Sequence, residues 1–268
     1  MFHDYLIYDA ILAGFALIIL CMAAVCDLKG AEIPDTLTLP IFSIGVSAAI
    51  IHHRWITILV ADILLFLCIG HIKIPFLQKF NDYLMRKAYS EETLQTEDDT
   101  LRQQADAFHA KNGKYMDVCC AATILLMLFV YFGVAICQRE TDRWIYIAGL
   151  FTFVFASYLF LIVKVSATKG EAIETEAISA LGGADIIVFL GLLCFYGPVG
   201  FIYGMTATMG LALIVGLWQK CFRKDRIGIP LMPVILAAAP IRIYTAYSFI
   251  WMLDRDLLWA FKNLLGLR

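Results

Sequence analysis

The run from Ile7 to Val25 is apolar and long enough to cross a lipid bilayer. Residues 5 to 26, at ~1.5 Å of rise each, reach across the ~30 Å of a hydrocarbon core. Such a segment has little choice of structure, because lipid offers no partner for a backbone amide and the chain must satisfy itself as a helix. The pattern then recurs. Apolar segments fall at about 37–52, 55–72, 117–138, 144–163, 184–196, 199–219 and 231–252, separated by polar connections. At 61% hydrophobic residues and a mean hydropathy of +0.78, the composition exceeds that of a soluble domain. The expected fold is an all-α polytopic membrane helix bundle embedded in the lipid bilayer. The first run has no basic flank and no small-residue cleavage site, so it reads as a retained helix rather than a signal peptide.

The chain divides by character. Residues 1–74 hold three predicted spans, and 75–116 form a polar loop with charges of both signs, including Glu91, Glu92, Glu97, Asp98 and Asp99. Leu94, Leu101, Ala105 and Phe108 recur at helical spacing there, which predicts one or two surface helices. Two more spans occupy 117–165, and the last ones lie within 166–253, interrupted at Gly197-Pro198. Residues 254–268 read as an amphipathic tail at the interface. Lysine and arginine set the orientation. With eight spans, the loops 27–36, 73–116, 164–181 and 220–229 share one face and carry 14 basic residues, against Arg54, Arg139 and Arg143 in the opposite loops and Arg255, Lys262 and Arg268 in the tail. The richer face is expected to be cytoplasmic. If 184–219 were one bent span, the spans after it would reverse.

Two carboxylates stand at helix ends on that face. Asp27 follows the first apolar run, and Asp185 opens the run Ile186 to Phe195 just after Gly182-Gly183-Ala184. Two aspartates sharing one proton can activate a water and polarise a carbonyl at once, because like charges a few Å apart do not both ionise readily. Gly182 and Gly183 lack a Cβ, so a substrate backbone can approach. Each feature also has a plainer reading: a solvated interfacial Asp27, an Asp185 favoured by its helix dipole, a glycine turn.

The contexts narrow the choice. Asp27-Leu28-Lys29-Gly30-Ala31-Glu32-Ile33-Pro34-Asp35 closely resembles the first-aspartate motif of the prepilin peptidases, Asp-x-(Lys/Arg)-x(3)-Ile-Pro-(Asp/Asn). Leu181-Gly182-Gly183-Ala184-Asp185 resembles the second motif of that family, with Ala184 in place of the usual glycine. The run from Ile229-Pro230 through Pro233 looks like its C-terminal hydrophobic segment. The resemblance implies a GxGD-type membrane aspartyl protease, most like the archaeal preflagellin peptidases, with six core transmembrane helices plus about two extra and a cytoplasmic polar loop. It implies Asp27 and Asp185 as the catalytic pair, no metal or other cofactor, and type IV pilin-like or flagellin-like precursors as partners. No tetra-cysteine domain is present, so methyltransferase activity is not expected.

The eight cysteines lie in or beside apolar runs without CxxC spacing and read as small hydrophobes. His52-His53 fall on the far side from the pair, where a metal role is not expected. Pilin-type leaders are basic, and Glu171, Glu174 and Glu176 lie close enough in sequence to Asp185 to attract one. Asp62 and Arg242 are charges inside predicted spans, either pairing with each other or lining a polar crevice. Two other readings compete: a presenilin-like intramembrane protease, which places its first aspartate mid-helix, and a transporter, for which internal repeats would be expected. No nucleic-acid signature is present.

Overall fold

The helix at the centre of the packing is the second, α2 (Asp35–Ile51), on which all the described helices but the last lean. Nearly all its side chains from Thr36 onward are buried, since it is apolar around its whole circumference and has no polar face to offer solvent. The computed structural model describes residues 5–29, 33, 35–69, 91–169, 183–222 and 231–245. Seven helices are assigned among them, and no strand: α1 (Leu6–Leu28), α2, α3 (Trp55–Ile69), α4 (Glu91–Cys137), α5 (Arg143–Lys169), α6 (Gly183–Phe222) and α7 (Leu231–Thr245).

Three of these hold segments long and apolar enough to cross a membrane: Leu6–Leu28, Lys111–Cys137 and Ala184–Gln219. Their outer faces are greasy, with Phe129 at 78% and Leu213 at 64% exposure. Apolar surface on that scale requires a covering, and for a membrane protein the covering is lipid.

Side-chain contacts fix the directions. Asp9 of α1 meets His52 at the end of α2, so α1 and α2 are antiparallel. Cys26 meets Met116 while Tyr8 meets Tyr131 and Gln138, so α4 is antiparallel to α1. Ser47 bonds the Ala148 carbonyl and the Thr152 hydroxyl, tying α5 to the second half of α2. Gly45 and Gly191 bring α2 and α6 into backbone contact: a Cβ on Gly45 would lie 2.1 Å from the Gly191 carbonyl oxygen. Close helix crossings of this kind rely on small residues.

Pro40 lies inside α2 and has no N–H for the Thr36 carbonyl one turn earlier. The Cys120 thiol takes up that carbonyl at 3.1 Å, so α4 repairs the gap that proline leaves. Near the other end of α4, Tyr131 donates to the Ile145 carbonyl at 2.8 Å and holds α5 in place.

One boundary differs from the one the sequence predicts. The border at 116/117 falls inside one continuous helix, because α4 runs 47 residues from Glu91 to Cys137. Its first twenty residues precede the apolar segment Lys111–Cys137 and extend it by ~30 Å. Residues 75–90 and the tail 254–268 lie outside the described residues. The interruption at Gly197-Pro198 is present: Gly197 adopts φ 74° and ψ 174°, which ends the helical path between two limbs of α6. Phe189 and Phe201 then stack edge-on with centroids 6.5 Å apart. In a straight helix twelve residues would separate their Cα atoms by ~18 Å. The two limbs therefore meet at a sharp bend.

Candidate active site

Asp27 belongs to the last turn of α1, one residue earlier than the helix end at Leu28. The Lys29 amide closes the helix on the carbonyls of Val25 and Cys26, at 3.2 and 3.0 Å. The side chain is half-buried, and its Oδ2 accepts a hydrogen bond from the Met232 amide at 2.8 Å. The Leu231 amide is directed at the same carboxyl. These are first-turn amides of α7, which have no carbonyl partner inside their own helix and point outward by construction. Pro230, immediately before the helix, and Pro233, within its first turn, favour a helix start at this place. Sequence reading singled out the Ile229–Pro233 segment without its use, which is to hold the carboxylate of Asp27.

Asp185 sits in the first turn of α6, half-buried, two residues after its start at Gly183. Its level in the bundle follows from the α2–α6 contact. A Cβ on Gly191 would press on Phe42 and Ile41, and Arg54 reaches the Phe195 carbonyl at 3.0 Å, so α6 runs parallel to α2 over this stretch. Six residues back from Gly191 lies Asp185, and six back from Phe42 lies Thr36. Asp185 is therefore level with the first turn of α2, the end of the bundle to which Asp27 also belongs.

That end gathers further groups. Cys26 is fully buried with its Sγ 3.8 Å from the Met116 sulfur, and Cys120 lies one turn farther along α4. The hydroxyls of Thr36 and Thr38 are buried without a hydrogen-bond partner among the described residues. Both are sealed from solvent by the packing around α2, Thr38 completely, and threonine in an apolar run gives no signal of this in sequence.

Gly183 opens α6, whereas Gly182, Glu171, Glu174 and Glu176 lie outside the described residues. Among the described residues no three histidine, cysteine or acidic side chains gather to hold a metal ion.

The opposite end is built differently. His52 Nε2 lies 2.8 Å from Asp9 Oδ2, which gives His52 a carboxylate partner in α1. His53 packs edge-on against Trp144 at 5.3 Å, Trp55 against Trp144 at 5.2 Å, and the Arg143 guanidinium sits 5.0 Å over the same indole. Tyr5 donates to Asp142, whose other oxygen accepts the Trp144 amide at 3.0 Å. The hydrogen bond from Tyr5 holds the Asp142 carboxyl below the usual carboxylate range.

Compared with protein-family models, with curated proteins and with solved structures, the chain matches none of them.

Proposed function

We propose that this protein is a multi-pass membrane aspartyl endopeptidase that removes short basic leaders from type IV pilin-like or archaeal flagellin-like precursors at the cytoplasmic face. The observation that carries the reading is the placement of three helix termini at one end of the bundle: the end of α1 with Asp27, the start of α6 with Asp185, and the start of α7, whose Met232 amide reaches Asp27. Each terminus bears one of the three motifs through which the sequence resembles the prepilin peptidases.

In the proposed reaction one carboxylate takes a proton from water, and the other, as the neutral acid, hydrogen-bonds the scissile carbonyl. The new oxygen–carbon bond gives a tetrahedral diol. Collapse of the diol breaks the carbon–nitrogen bond, and the leaving amine takes up a proton. The α7 amides keep the Asp27 side chain oriented during these transfers. The acidic residues Glu171, Glu174 and Glu176 are proposed to attract the basic leader.

The test is cleavage in isolated membranes. Candidate precursors bearing a basic leader before an apolar helix are incubated with membranes holding the wild-type chain, Asp27→Asn or Asp185→Asn, and the new N-terminus is located by mass spectrometry. Wild-type membranes cut and each single variant does not. Cutting by either variant at near wild-type rate would remove that residue from the proposal.

A further inference from the structure

α3 lies at the rim of the bundle, packed on α6 and touching α2, and much of its surface is open. Ile56, Leu59, Val60 and Ile63 are exposed there, Ile56 at 80%. Asp62 is exposed beside them, at the edge of this apolar face. Among the described residues it has neither a hydrogen bond nor an ion pair. Trp55 begins the same helix inside the cluster of His53, Trp144 and Arg143, the kind of aromatic and basic group that settles at a bilayer surface. Seven residues farther along, at ~1.5 Å each, Asp62 lies ~10 Å deeper.

A carboxylate at that depth on a lipid-facing helix is costly and is ordinarily matched by a partner. Arg54, the described cation just before α3, donates to the Phe195 carbonyl and packs against Gly197, and the side chain of Arg242, the pairing candidate in the sequence, lies outside the described residues. A second copy docked across a two-fold axis at α3 would bring one Asp62 toward the other and supply no cation. We infer that the outer face of α3 docks a membrane-spanning helix of another protein that carries a lysine or arginine at the depth of Asp62. The apolar residues supply the packing, and the ion pair fixes partner and register. This inference rests on the multi-pass reading and not on the peptidase chemistry.

The experiment uses the full chain in phosphatidylcholine vesicles, labelled for energy transfer to designed leucine–alanine helices. One helix carries a lysine ~10 Å below a tryptophan-marked end, and a second is wholly apolar. The wild-type chain is expected to prefer the lysine helix by roughly 3- to 30-fold, the range spanned by polar contacts between membrane helices. Asp62→Asn is expected to abolish the preference, and Asp62→Lys to transfer it to a glutamate helix. Equal binding of the two helices by the wild type overturns the inference, as does an unchanged preference in Asp62→Asn. So does self-association that needs Asp62 without preference for lysine, which would make a second copy the occupant. Leader cleavage in the Asp62→Asn membranes is expected to be unchanged, so the docking surface and the peptidase fail separately.

Discussion

The two ends of the bundle are held by different means. At the end carrying His52, side chains tie turn to turn: Asp9 to His52, Tyr5 to Asp142, Arg54 to the Phe195 carbonyl, and Trp55 and Trp144 on each other. At the end carrying Asp27, the described contact that reaches the carboxylate is an amide of another helix terminus, with unpartnered threonine hydroxyls close by. Fixing the helices at one end sets their register, and register is what brings two distant carboxylates to one level at the other. An end bound mainly by helix termini leaves backbone amides pointing outward, and one of them reaches Asp27. The closed end thus acts as a foundation for the proposed site at the other.

The largest effect should come from the working end. Asp27→Asn and Asp185→Asn are each expected to lower leader cleavage by on the order of 10³-fold, as loss of an acid or base does, while gel filtration in detergent stays unchanged. A loss of folding in both would leave the comparison of ends without its functional half.

Next is the backbone contact that transmits register. Gly45→Ala would put a methyl 2.1 Å from a backbone oxygen, which no side-chain rotation can relieve. A loss of about 3 kcal/mol or more is expected, read by thermal unfolding in detergent. Gly14→Ala is the control, since nothing lies within 4 Å of its added methyl. It should be neutral or slightly stabilising, because alanine suits a helix interior better than glycine. Equal effects at the two positions would mean that the α2–α6 contact does not set the register.

A smaller loss is expected from Arg54→Ala, which removes the hydrogen bond to the Phe195 carbonyl and the packing beside Gly197. About 1.5–3 kcal/mol is the scale for a charge-assisted bond, and Lys should restore only part of it.

The smallest effect concerns Tyr5→Phe. The Asp142 carboxyl sits lower in the folded protein than in the unfolded chain, chiefly through the Tyr5 hydroxyl. As pH falls below ~4 the unfolded chain takes up the proton first, so the stabilisation is complete above that value and is lost as pH falls through the folded value. Tyr5→Phe should flatten this acid limb of a melting-temperature profile and leave the neutral region nearly unchanged. An unaltered acid limb would assign it to other carboxylates.

Much of this was legible in the residues. Unbroken apolar runs permit little besides helices, so the helical class and most helix positions follow from hydropathy alone. Gly197-Pro198 marked the bend in α6, since proline lacks the N–H and glycine tolerates the left-handed backbone. The length of α4 was not legible, because its charged first half and apolar second half read as two environments while helix formation ignores that boundary.

The sequence by itself also determined that two aspartates stand at helix ends, each in a recognisable local motif, because a motif is a property of neighbours in the chain. The lysine and arginine count put both on one face, and the tertiary structure supplied the contacts that fix their level. That depends on the glycine contact between α2 and α6 and on Arg54 at the far end, and neither announces its partner in sequence. It decided as well that the Met232 amide holds Asp27, across 205 positions of chain. A helix start always has amides to give, but which carboxylate receives them is settled by how the helices pack.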